Sequence, residues 1–223
     1  METLINAFFN IGILRETAPY LWAGFKMTVL LTVVVVPLGV VGGLGVALLS
    51  QTQSKPARWL VAAYVDFFRA FPPLVLLMFI AFGLPFTGLD LPAFASVAAA
   101  FLLNTSSYYG EIFRAGLESV PSGQAEAARS TGLSRWQTMV WVILPQAARN
   151  VLPDLISNTL EVIKLTTLAS VVGFTELLNN ARNAQALTYN ATPIVAAALI
   201  YLVLLWPLVR LVSRLEHKSI ALR

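Results

Sequence analysis

Five apolar runs, each long enough to cross roughly 30 Å of hydrocarbon, decide what this chain can fold into. They cover about 27–50, 62–84, 92–113, 151–174 and 193–212. Inside a bilayer every backbone N–H and C=O must be satisfied within the segment itself, so runs of this kind become helices and the fold class is all-α membrane protein. Composition agrees: of 223 residues 57% are hydrophobic and only 12% charged, against about a quarter charged in a soluble domain. Pro37 and several glycines interrupt the first run, and Pro72-Pro73 kinks the second. The second half of the third, from Asn104 to Tyr109, is rich in side-chain alcohols and amides. Neither internal repeat nor low-complexity tract divides 1–223, which reads as a single transmembrane domain.

The basic residues orient the runs. With the N-terminus outside, 11 fall on the inner side: Lys55, Arg58, Arg69, Arg114, Arg129, Arg135, Arg149, Arg210, Arg214, Lys218 and Arg223. Only Arg15, Lys26 and Arg182 fall outside, and Lys164 lies within a run, so the positive-inside rule places the C-terminus in the cytoplasm. The net charge of +4 therefore reflects topology rather than nucleic-acid binding. Glu2 occupies the place of a basic signal-peptide region, and Leu4, Ile5, Phe8, Ile11 and Leu14 suit a short amphipathic surface helix. The chain has no cysteine and one histidine, His217, so a thiolate or histidine metal cluster is excluded. None of its four lysines follows a glycine, so it carries no phosphate-binding loop and binds no ATP by that means.

One polar stretch stands out, the loop of about 114–149 between the third and fourth runs. Its alanine-rich part, Gln124 to Thr131, predicts a helix ending at Gly132, which tolerates positive φ. Glu126 and Arg129 are spaced to pair on its exposed face. Ser134-Arg-Trp-Gln137 reads as a capping box opening a second helix, which Pro145 ends or kinks.

Pro121-x-Gly123-Gln124-x-Glu126-Ala127-Ala128, followed by Gly132 and Leu144-Pro145-Gln146-Ala147, resembles the EAA loop of ABC-importer permeases, those for polar amino acid uptake in particular. Four further stretches are similar to that family in the same order. They are Gly24-x-x-x-Thr28, Phe68-Arg69-Ala-Phe-Pro72, Tyr109-Gly-Glu111-Ile112-Phe113-Arg114-Ala-Gly116 and Lys164-Leu-Thr-Thr167-Leu168-Ala-Ser170. Ala70, Phe71 and Pro73 depart from the family pattern beside the kink. The resemblance implies a type I importer transmembrane domain with five spans and a cytoplasmic coupling helix between spans 3 and 4. It implies Gly123, Gln124, Glu126, Ala127, Ala128, Arg129 and Gly132 as residues that couple to an ATP-binding cassette ATPase dimer. ATP and magnesium would sit on that partner, with no cofactor on this chain. A second permease copy or sister permease and a periplasmic solute-binding protein complete the implied assembly, which imports a small polar solute such as an amino acid across the inner membrane.

The fourth run carries the other unusual feature. On a 3.6-residue helix Asp154, Ser157, Asn158, Glu161 and Lys164 fall within about a third of the circumference. Ionisable residues in a membrane face a cavity or a partner. The stripe is either a wet path for a zwitterionic solute, joined by Asn104, Tyr108 and Thr167, or a Glu161–Lys164 pair with Asn158 joining helices. Arg69 has three readings: snorkelling to headgroups, pairing with Asp66, or approaching solute. A self-sufficient carrier or channel is the alternative function, opposed by the small size and the missing inverted repeat.

Overall fold

A computed structural model describes residues 6–221, with side chains described to Arg214. Leu4 and Ile5 of the expected surface helix, and the side chains of His217, Lys218 and Arg223, lie outside that range. Helix α1, Ile11–Ser50, is a single 40-residue helix that begins well before the expected start near Met27 and absorbs Ile11 and Leu14. Asn10 caps it, accepting the Ile13 N–H at 3.2 Å. Pro19 and Pro37 are both accommodated within it. Its buried positions, Thr17, Leu21, Gly24, Thr28, Leu31, Val35, Gly39, Gly43 and Ala47, recur every three or four residues and form one seam. Small residues let backbones approach there: a Cβ on Gly43 would run into Tyr109 and stand 2.7 Å from the Gly110 nitrogen.

Helix α2, Lys55–Ala70, and α3, Pro73–Met78, meet at a 99° bend, so the kink expected in the second run is a break. Pro72 and Pro73 each remove a donor and push the preceding residue toward extended geometry, and Phe71 and Pro72 have ψ of 127° and 125°. A π turn, Phe79–Gly83, and a 3₁₀ turn, Leu84–Thr87, carry the chain on to Gly88.

Helix α4, Ala93–Glu118, lies at the centre. Its alcohols and amides are buried and bonded inside the protein: Ser107 Oγ donates to the Asn104 carbonyl at 2.6 Å, and Tyr64 OH meets Ser106 Oγ at 2.7 Å. Then come α5, Ser122–Ser130; α6, Arg135–Thr138; a π turn, Met139–Ile143; and α7, Leu144–Asn150. Helix α8, Leu152–Leu165, continues as a 3₁₀ helix over Thr166–Val172 to Gly173. A short shelf, α9, Leu177–Thr188, precedes α10, Thr192–Ala221.

Among the described residues three helical stretches, Asn6–Ser50, Leu152–Val172 and Thr192–Arg214, are long and apolar enough to cross a membrane, and a fourth if the bent pair counts as one. Helix α4 is not among them, although its 26 residues reach about 39 Å. Its polar half lowers its hydropathy because it faces protein instead of lipid.

Candidate functional site

A cavity of about 390 Å3 lies where α4, α8 and the start of α3 meet, and Asn104, Tyr108, Asn158, Glu161, Lys164 and Thr167 all line it. Helical periodicity aligns the α8 members: Asn158, Glu161 and Lys164 follow at three-residue steps, and Thr167 begins the 3₁₀ turn that continues the same wall. Asp154 and Ser157, from the same stripe, do not line it. Lys164 Nζ donates to Glu161 Oε1 at 2.6 Å, yet the two side chains stay 51% and 67% exposed. Asn158 Nδ2 is buried without a hydrogen-bond partner.

Arg69 stands behind this wall. Its guanidinium carbon lies 5.5 Å from the centroid of the Tyr108 ring, and Nη1 lies 3.9 Å from Glu111. Pairing with Asp66 does not occur among the described ion pairs. Thr105 also lines the cavity and carries no sequence signal of its own, and Pro73, which departs from the family pattern, lines it too. Pro73 arrives there only because of the break.

The loop helix α5 exposes Gly123, Gln124, Glu126, Ala127 and Arg129, and buries Ala128. Ala128 therefore packs within this chain and is not part of the outward face. The helix ends in a Schellman turn: Leu133 N–H donates to the Ala128 carbonyl at 3.3 Å and Gly132 N–H to that of Arg129 at 3.1 Å, with Gly132 at φ +89°. Glu126 and Arg129 do not pair; Arg129 Nη1 donates to the Leu133 carbonyl at 2.7 Å. A fixed acceptor four residues ahead, held by the turn, outcompetes a solvated carboxylate. The capping box forms with both bonds, Gln137 N–H to Ser134 Oγ at 3.2 Å and Ser134 N–H to Gln137 Oε1 at 2.8 Å. Pro145 neither ends nor breaks the second helix. The π turn before it widens the coil by one residue, which accommodates the missing donor.

The family described as "binding-protein-dependent transport system inner membrane component" matches residues 39–220. The chain belongs to it. This inner membrane component is 37% identical over 210 residues to the probable glutamine ABC transporter permease GlnM of Bacillus subtilis, covering 94% of this chain and 97% of the relative. It is 34% identical over 217 residues to the glutamine transport system permease GlnP of Escherichia coli K12, with the same coverage of 94% and 97%. A crystal structure of an amino acid ABC transporter with histidines matches at a TM-score of 0.83 and 36% identity, over 92% of this chain and 96% of that one. The inward-facing MetNI methionine transporter shares the fold at 20% identity and a TM-score of 0.74. Membership settles the functional class as an ABC permease and removes the self-sufficient carrier or channel.

Proposed function

We propose that this permease passes an amino acid, or a solute of similar size and polarity, through the α4–α8 cavity, and that exposed α5 is the coupling helix on which a pair of ATPase subunits acts. The cavity carries the reading. Two charges that remain half or more exposed in the middle of a spanning segment would each cost about 2.5–3.5 kcal/mol against hydrocarbon, so they face a wet path. A zwitterion supplies what the Glu161–Lys164 pair loses on opening: its carboxylate replaces Glu161 beside Lys164, and its ammonium replaces Lys164 beside Glu161. Neither protein charge is then left desolvated and alone.

In the assembled importer the chain has five spans, counting α2–α3 as one broken span and α4 as the central one, with the N-terminus outside. Two permease copies, or this chain and a sister, enclose the path. ATP and magnesium are held by the ATPase, and a periplasmic binding protein delivers the solute.

Uptake in proteoliposomes by the complete transporter tests the site. Lys164→Met abolishes uptake while leaving ATPase stimulation by the loaded binding protein nearly intact, and Glu161→Gln changes solute preference or apparent affinity. If the pair only joins helices, the double variant restores a neutral packed surface. Uptake by Glu161→Gln/Lys164→Met near the wild-type rate would therefore remove the site from α8.

A further inference from the structure

The end of α2 is held by two residues that also wall the cavity. Asn104 Nδ2 donates to the Phe68 carbonyl at 3.1 Å, and Tyr108 offers its ring face to Arg69. Both contacts fall just before the 99° break. Arg69 leans toward Glu111 as well, one turn further along α4, but that carboxylate is already occupied. Arg114 donates to it from Nε at 2.9 Å and from Nη2, and turns Nη1 to Glu118 at 2.6 Å. Two cations thus share Glu111, and Arg114 holds the close bidentate position. Arg69 is the loosely held one, 42% exposed, with an ion pair at the limit of contact and a ring that itself faces the cavity.

Beyond Glu118 the chain of contacts continues. Asn150 Nδ2 donates to Ser119 Oγ at 2.8 Å, joining the end of α4 to α7. Gln146 on α7 donates to Gln124 of α5 at 3.4 Å.

Resting on the cavity as the solute path, we propose that Arg69 is a positioning residue that ties cavity occupancy to the α2 break and to the end of α4 that carries the coupling helix. A solute that engages Asn104 and Tyr108 competes for the two groups that hold the end of α2. Arg69 then loses its ring and shifts onto Glu111, and Arg114 yields toward Glu118. Contact along a path is not coupling by itself; the bistable element here is the position of Arg69 between the ring and the carboxylate. On this reading Arg69 acts through Tyr108 and Glu111 and does not touch the solute itself.

The complete transporter, with its ATPase and binding protein in proteoliposomes, tests this with an equimolar mixture of radiolabelled proteinogenic amino acids as probe. Two quantities are read: amino acid taken up per ATP hydrolysed, and equilibrium binding to the solubilised complex. Arg69→Gln lowers uptake per ATP about tenfold and leaves binding as tight as in wild type or tighter, weakening it by no more than about twofold. Arg69→Lys keeps a cation over the ring and recovers about half of the loss or more. An Arg69→Gln complex whose uptake per ATP stays within about twofold of wild type overturns the proposal. So does one that loses binding in proportion to uptake, because Arg69 would then belong to the solute site. Should Arg69→Gln not assemble, Arg69→Met, which keeps the aliphatic bulk and removes the cation, is read in the same way. Normal binding and uptake by the Glu161 and Lys164 variants would instead overturn the path reading, whatever Arg69 does.

Discussion

Glu176 is fully buried between α8 and α9, outside the spanning stretches. Its carboxylate caps α9, accepting the N–H groups of Leu178 at 2.8 Å and Asn179 at 2.7 Å, and the hydroxyl of Tyr201 on α10 at 2.9 Å. The neighbouring Leu177 N–H donates to Thr28 Oγ1 on α1 at 3.1 Å. One short segment therefore fastens α1, α9 and α10 together. Burial pushes the carboxyl above its ordinary range, and the bonds from Leu178, Asn179, Tyr201 and Thr28 only partly oppose that. Between the ordinary carboxylate value, about 4.3, and the raised one, the folded chain keeps a proton that the unfolded chain releases. Stability therefore falls as pH rises through that window. Thermal unfolding of the solubilised permease across a pH series should show this fall in wild type and not in Glu176→Gln, which cannot ionise; parallel curves would refute it. Glu176→Ala leaves the α9 donors open and should cost about 1–3 kcal/mol below the ordinary carboxylate value, and less as pH rises through the window above it. Nothing in the sequence pointed to Glu176, because a single acid between apolar stretches has no periodicity to reveal its partners. The six cavity residues were legible for the opposite reason. Those on α8 repeat at helical spacing, and charges in an apolar run must face something other than lipid. Arg69 was legible as unusual, but its true neighbours, Tyr108 and Glu111, come from α4 and depend on the crossing of two helices.

Where local chemistry fixes an element, the sequence sufficed. The Schellman end of α5 at Gly132 and the capping box at Ser134 that opens α6 follow from bonds within a few residues, and each lies where its residues place it. Prolines were read less well, because their outcome depends on what the surroundings can absorb. Pro19 and Pro37 stay inside α1, Pro145 follows a π turn, and Pro72-Pro73 turns the chain by 99°. Only the last has two consecutive lost donors and two consecutive residues held extended. At the end of α5, the proposed coupling helix, the decisive feature is the positive φ of Gly132, where an added Cβ meets no atom within 4 Å. A substitution there is strained by its own backbone and not by neighbours, at about 1–2 kcal/mol. Gly132→Asp should therefore leave insertion and yield intact while tilting α5 relative to α6. The expected result is a permease that is present in the membrane but releases the ATPase on purification or fails to stimulate it. Normal uptake at normal complex yield would show that the turn does not position the coupling helix.

The whole molecule has two chemically distinct ends. At one, the Ala7 carbonyl accepts from Ala191 N–H at 3.1 Å and Asn10 N–H donates to Thr192 Oγ1 at 2.9 Å, so the N-terminal segment and the α9–α10 turn lie together. At the other, Gly43 near the end of α1 meets Gly110 near the end of α4, and Ser119 meets Asn150, so the α4 terminus and the loop of α5 to α7 lie together. The basic residues sort onto these ends unequally. Arg15 and Arg182 accompany the first, while Arg114, Arg129, Arg135 and Arg149 accompany the second, and Arg69 joins them through Glu111. The bundle thus gathers more of these basic residues at the end that carries α5, which under the proposed orientation, N-terminus outside, is the cytoplasmic end. The cysteine-free chain makes this directly measurable. Asp90, Ser130 and Asn183 are all exposed, and Asp90 is preferable to Gly88 in the same turn because Gly88 sits at φ +85°, where a side chain is strained. Single cysteines at Asp90 and Asn183 should react with a membrane-impermeant maleimide in intact cells. A cysteine at Ser130 should react only after the membrane is opened. Labelling of the Ser130 position in intact cells, with the other two silent, would invert the molecule and place the α5 helix where no ATPase can reach it.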